Sequence, residues 1–168
     1  LSVLMMRQSQ NAAALVALET IGCEVPRSGT GATIIDVGKD TPAKKAGLKP
    51  GDTIIKINDE PTELDTQVVK AIQNKPIGSQ INVTYENSKK KQKTVTVKLI
   101  ENPEAKGKSF LGVAMVTRDF DLDFPVKITF EAGDVTGPSA GLAFTLGAID
   151  RLSEGDLVDG NIVAATGE

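Results

Sequence analysis

Hydrophobic and polar positions change period several times along the chain. Between Ser2 and Thr20 apolar residues fall at Val3, Met6, Ala13, Leu15, Val16 and Leu18 in an alanine-rich background. That spacing predicts an amphipathic helix, with Ser2 placed to cap it and Gly22 just past its end. After Cys23 the pattern shortens. Thr33, Ile34, Ile35 and Val37 form a β-branched run, and residues 53–57 form a second. Ile81, Val83 and Tyr85, then Val95, Val97 and Leu99, alternate with polar residues on either side of a charged 87–93 segment, which predicts two strands joined by a turn. Between these strands lie two helix signatures. Thr41 would cap a short helix with Pro42 at its first position and Gly47 as its stop. Thr62 or Asp65 would open another through Val68, Val69, Ala71 and Ile72, closed by Pro76 and Gly78. Residues 102–109 are polar, contain Pro103 and Gly107, and read as a linker. Beyond it the pattern predicts strands at 111–116 and 126–130, a glycine-rich turn, a helix at 139–152 and a last strand at 162–165. The expectation is an α+β chain with an N-terminal helix (1–22), a small sheet domain with two helices (23–101), a linker (102–109) and a second α+β region (110–168).

Composition narrows the chemistry. Apolar residues make up 40% and charged residues 24% of the chain, as in ordinary globular proteins. A net charge of -3 offers no basic field for nucleic acid, and the basic run of Lys89, Lys90, Lys91 and Lys93 reads as a solvated hairpin tip. Cys23 is the single cysteine, so neither an intrachain disulfide nor a cysteine-based metal site can form. The absence of histidine excludes Ser-His-Asp and Cys-His catalysis within the chain; any nucleophile would need another base, lysine being the usual substitute. No metal and no cofactor is expected. No apolar run reaches the roughly 18–20 residues that span a membrane. The chain opens on Leu1 rather than methionine and reads as part of a longer protein.

The stretch from Gly31 to Val37, followed by Thr41-Pro-Ala-Lys-Lys-Ala-Gly-Leu-Lys-Pro-Gly-Asp-Thr-Ile-Ile-Lys-Ile-Asn58, resembles a bacterial PDZ domain. The order and spacing of PAxxAGLxxGDxIxxIN carry the resemblance, which covers about residues 23–101. It implies a module that takes extended peptides as an added strand beside a helix, with a short glycine-containing loop cradling the peptide carboxylate. The candidate loop spans residues 20–25, with Ile21, Gly22, Cys23 and Val25 in it. Val68, Ala71 and Ile72 are the candidate helix wall. Each of these also has the plainer reading of a core residue, and Cys23 that of a small buried hydrophobe.

The second informative stretch is Gly133-Asp-Val-Thr-Gly-Pro-Ser-Ala-Gly-Leu142. Gly137 and Gly141 permit close backbone approach, and Pro138 suits a helix start. Ser139 then falls in the first turn, where free N–H groups and the positive end of the helix dipole gather. Such a turn could hold a nucleophile and an oxyanion through backbone N–H groups near Gly137, Ala140 and Gly141; many similar turns merely cap helices. Gly137-Pro-Ser-Ala-Gly141, an apolar helix and Ile162-Val-Ala-Ala-Thr-Gly-Glu168 together resemble the Lon protease family, and a PDZ module in front resembles the PDZ-containing Lon-like proteases of bacteria. The resemblance implies a serine endopeptidase with a Ser–Lys dyad. Ser139 matches the nucleophile and Thr166 a threonine near the dyad, and the lysine lies beyond Glu168. Lys127 is the in-chain rival, better read as an exposed strand residue. Thr136 stands where many Lon enzymes carry an acidic residue. The implied partners are protein or peptide substrates, with a possible homo-oligomer and an upstream membrane anchor holding the body outside the cytoplasm. The alternative is a non-catalytic scaffolding protein whose PDZ module works and whose Lon-like part is vestigial.

Overall fold

The computed structural model describes residues 2–131, 138–155, 157, 159, 160 and 162–167. They fall into two compact units: residues 27–121, and residues 1–26 with 122–168.

The 27–121 unit opens on a two-residue strand, β1 (Arg27–Ser28), and is built on one main sheet. Strands β2 (Ala32–Val37), β3 (Thr53–Ile57), β5 (Gln80–Glu86), β6 (Gln92–Lys98) and β9 (Val113–Thr117) run in the order β6-β5-β3-β2-β9, and β4 (Glu60–Pro61) pairs with β3. The strict alternation seen in the sequence is the burial pattern of β5, where Ile81, Val83 and Tyr85 face the core. Helix α2 (Pro42–Lys45) begins at Thr41, whose hydroxyl accepts from Lys44 N–H at 3.3 Å and donates to the Gly38 carbonyl at 2.8 Å. Helix α3 (Asp65–Gln73) starts where the Gln67 side chain reaches back to accept from the N–H groups of Glu63 (2.7 Å) and Leu64 (3.2 Å). Those are donors that the first turn would otherwise leave without partners. Val68 and Ile72 of α3 bury against Ile34, Leu48, Ile54 and Leu99 in one apolar core.

Two sequence expectations fail here for one reason. Residues 102–109 are not a linker: β7 (Ile100–Asn102) and β8 (Ala105–Phe110) form a hairpin, with Ile100 opposite Phe110. The strand at 111–116 does not open a second domain. It is β9, antiparallel to β2, with Thr33 opposite Val116 and Ile34 opposite Met115. Pro103 lies in the hairpin turn and Gly107 within β8, where the register shifts, and a local pattern cannot say whether the next strand returns to the same sheet.

The other unit contains α1 (Ser2–Thr20), a 3₁₀ turn at Pro138–Ala140 and α4 (Gly141–Leu152), and α1 and α4 pack together. The buried stripe of α1 is Ala13, Ala14, Ala17 and Leu18, while Val16, expected on the apolar face, is 47% exposed. Small side chains let two helices approach closely, so here alanines rather than large residues define the contact face. Phe130 and Phe144 stack at 5.0 Å between ring centroids, tilted by 45°. Residues 126–130 and 162–165, expected as strands, have no strand assignment. Their β-branched composition fits a strand, but no neighbouring strand among the described residues pairs with them, and a strand exists only by pairing.

Within the first unit Arg118 bonds Glu86 at 2.9 Å. This hydrogen bond, and next that from Gln92, hold the Glu86 carboxyl below its ordinary value of 4.5. A depressed carboxyl contributes stability that is present in full above the unfolded value and is lost as pH falls through the folded one. Both side chains are partly solvated, so the pair contributes about 0.2–1 kcal/mol. Glu86→Gln is therefore expected to lower the urea midpoint at neutral pH and to match the parent in acid. Equal midpoints at neutral pH would show that the pair contributes nothing.

Candidate functional site

Strand β9 ends the sheet: β2 pairs with one edge, and no described strand pairs with the other. Helix α3 is held at both ends, by Ser109 of β8 and by Thr117 of β9. At its C-terminal end the Ser109 hydroxyl, 3% exposed, donates to the Lys75 carbonyl at 2.7 Å. At its N-terminal end the Thr117 hydroxyl donates to the Asp65 carboxylate at 2.9 Å and accepts from Asp65 N–H at 3.1 Å. Between the pins runs a groove of about 200 Å³ lined by Val69, Ile72 and Gln73 of α3, Val113 and Met115 of β9, and the 109–112 loop.

The closed end of the groove is Phe110-Leu111-Gly112. Ala43 N–H donates to the Leu111 carbonyl and Gly38 N–H to the Gly112 carbonyl, each at 3.0 Å. Because a trans peptide points its C=O and N–H in opposite directions, the N–H groups of Gly112 and Val113 turn away from α2 and β2, into the groove. Two adjacent N–H groups on a loop form a seat for an anion such as a carboxylate. Gly112 makes this geometry possible: its φ is +87°, and a Cβ there would sit 2.2 Å from the Cβ of Thr41.

The residues named from the sequence distribute unevenly around this groove. Ile72 lines it, buried to 5% exposure, whereas Val68 is fully buried in the core and Ala71 packs on the core. Val69, 41% exposed, is the wall residue that the sequence reading passed over. Ile21, Gly22, Cys23 and Val25, expected as the cradle loop, do not line this groove. They belong to the other unit, where Cys23 N–H donates to the Leu18 carbonyl at 2.9 Å and Gly22 N–H to that of Glu19 at 3.0 Å. With Gly22 at φ +80° this is a helix C-cap. Val25 is buried and Cys23 half-buried. The segment that does line it, Phe110-Leu111-Gly112-Val113, is a glycine between apolar residues leading into a strand, and it lay inside the expected second domain.

At the second candidate site Ser139 lies in the 3₁₀ turn, exposed, with Ala140 capping α4 and Gly141 at its first position. The Ser139 carbonyl accepts from Gly167 N–H at 2.8 Å and from the Thr166 hydroxyl at 3.2 Å, and Leu142 N–H returns to the Gly167 carbonyl at 3.1 Å. Ser139 and Thr166, separated by 27 positions, are thus adjacent, joined through the serine backbone. No hydrogen bond ties the Ser139 hydroxyl to a basic side chain among the described residues. Lys127 is exposed. Gly137 and Thr136 lie outside the described residues. Among the described residues no cluster of three metal-ligating side chains occurs, and no helix is long and apolar enough to cross a membrane.

Comparison with known proteins reaches the part of the chain before β9. Residues 19–99 match the family model of the PDZ domain. The PDZ domain of an SdrC-like protein from Listeria monocytogenes is similar at 23% identity and a TM-score of 0.46, over 52% of this chain and 88% of that one. The corresponding domain from Listeria innocua is similar at 22% identity and a TM-score of 0.45, over 51% and 92%. A solution structure from Geobacillus thermodenitrificans is similar at 29% identity and a TM-score of 0.43, over 51% and 95%. No curated protein matches. By the family match this chain carries a module of the peptide-binding class. It is a PDZ domain, and its sheet is completed by β9, beyond the last matched residue.

Proposed function

We propose that this protein recruits peptide segments through the β9–α3 groove and cleaves peptide bonds with Ser139. The observation that carries the recruiting role is the free edge of β9 facing α3 and ending at the Gly112 and Val113 N–H groups. A peptide added there antiparallel would satisfy that edge with backbone bonds and set its terminal carboxylate on the loop, while alternate side chains enter the groove beside Val69 and Ile72.

Support for the hydrolytic role is the Pro138–Ala140 turn at the start of α4, held by Thr166 and Gly167, together with the resemblance of the Gly-Pro-Ser-Ala-Gly sequence to that of Lon-like proteases. In this reading the Ser139 hydroxyl attacks the substrate carbonyl and forms an acyl-enzyme, and N–H groups of the first turn stabilise the oxyanion. The base is the neutral lysine that such enzymes carry downstream of the Thr-Gly-Glu sequence. A lysine serves only if burial lowers its pKa by roughly 2–3 units from about 10.4. The same proposal places the body outside a bacterial cytoplasm on a membrane anchor.

Casein hydrolysis tests the chemistry. The 168-residue chain is expected to be inert, because a missing general base costs about 10²–10⁴ in rate. A chain extended through the lysine is expected to cleave casein and to lose that activity on Ser139→Ala. Cleavage by the extended chain that survives Ser139→Ala would remove the serine from the mechanism, and Ser139-dependent cleavage by the short chain would place the base within it.

A further inference from the structure

A second hollow lies at the other end of β9, beyond the groove. Beyond β9 the chain turns through Asp119, which has a φ of +51°. Four short side-chain hydrogen bonds hold this turn, beside backbone bonds of Arg118 with Thr30 and Gly31. Arg118 donates to the Thr30 hydroxyl at 2.8 Å, to Glu86 at 2.9 Å and to the Thr30 carbonyl at 2.7 Å, and the Thr30 hydroxyl donates to Asp119 at 2.7 Å. The turn presents Phe120, 51% exposed, next to Val116, 46% exposed. With Leu64 at the start of α3 these side chains line a hollow of about 390 Å³, with Asp65, Thr66 and Arg27 at its polar margin.

Single exposed apolar side chains need no explanation. A phenylalanine on a turn fixed by these hydrogen bonds, opening onto a hollow that begins where a strand edge ends, has a ready occupant. Val113 and Met115 face the core side of β9, and Ala114 and Val116 the other face. A strand added to the free edge alternates in the same way, and one that runs past Thr117 reaches the hollow, which Val116 and Thr117 both line. From Val113 to Thr117 is four steps of about 3.3 Å, so the hollow lies some four to seven residues before a terminus seated at Gly112. We propose that it is a second specificity subsite, taking one apolar or aromatic side chain from the upstream part of the same peptide. This rests on the groove reading given above.

Octapeptides with a glycine–serine body, ending in valine, leucine or phenylalanine, test it by fluorescence anisotropy against the whole chain. Each is prepared as free acid and as amide, and a single tryptophan is moved through the fourth to seventh places from the end. Weaker binding of the amides is the signature of the groove itself. For the subsite, tryptophan at one place is expected to tighten binding about three- to tenfold, as burial of part of an aromatic ring provides. Phe120→Ser is expected to erase that gain while leaving the tryptophan-free peptide's affinity unchanged, and the milder Val116→Thr to reduce it. A groove that binds the free acids with no gain at any place would overturn the subsite, as would a gain that survives both substitutions. Dimerisation abolished by Phe120→Ser, with no tryptophan gain, would assign the hollow to a second copy instead. No binding of any octapeptide would remove the groove and the subsite together.

Discussion

Val68→Asp is expected to unfold the 27–121 unit, whereas Val69→Asp, one residue later, is expected to leave it folded and empty its groove. Val68 is fully buried among Ile34, Ile54 and Leu99. A carboxylate there loses its hydration without an ion-pair partner, and the isopropyl-sized space is filled by the wrong chemistry. Substitutions that bury an unpaired charge exceed about 4 kcal/mol, most of the roughly 5–15 kcal/mol that stabilises a whole domain. Val69 is 41% exposed on the groove wall, so a carboxylate there stays hydrated and stability should move by no more than about 0.5 kcal/mol. It would, however, face the terminal carboxylate and apolar side chains of a bound peptide, and an affinity loss of at least about tenfold is expected. Circular dichroism with urea titration reads the first effect and peptide anisotropy the second. A folded Val68→Asp would displace the core assignment, and undiminished binding by Val69→Asp would move the peptide away from α3.

Gly112→Val should damage both stability and binding. A φ of +87° costs an L-residue about 1–2 kcal/mol, and the first side-chain carbon would fall 2.2 Å from the Thr41 Cβ. One of the two must move. Either the loop lifts, losing the bonds from Gly38 and Ala43, or α2 loses the Thr41 cap. The expected sum is about 2–4 kcal/mol, with the Gly112 and Val113 N–H groups no longer aimed at one point. Gly107→Val is the control. It has a similar φ of +80°, but nothing lies within 4 Å of the added carbon, so only the backbone cost remains and binding should persist. Equal effects of the two substitutions would show that the loop's packing on Thr41 does not shape the seat.

The local elements of the PDZ unit were legible because each is written in its own residues. Thr41-Pro42 begins α2, the alternation of Ile81, Val83 and Tyr85 is that of β5, and Val68 with Ile72 gives the buried face of α3. The same local rules placed Gly22 after a helix end, and the structure has its cap there. Taking residues 20–25 as the cradle loop as well asked one segment to serve two incompatible geometries.

What the chain order could not reveal was which strand forms the border of the sheet. β9 follows β8 in sequence yet lies beside β2, the first long strand, some 80 residues earlier. Strand pairing depends on which backbone edges remain unsatisfied once the rest of the sheet has formed, a property of the assembled sheet and not of any window along it. Hence the linker expectation failed at the β7–β8 hairpin, and the groove loop fell inside what had read as another domain. Adjacency of Ser139 and Thr166 is likewise a tertiary fact, made by two backbone hydrogen bonds and one hydroxyl, although both residues had been singled out by motif. The sequence by itself determined the element types, the buried face of each strand and the kind of module they form. Only the tertiary structure decided which edge stays open, which valine of α3 faces it, and which glycine turns its own N–H and that of Val113 toward the groove, because those depend on contacts between segments far apart in the chain.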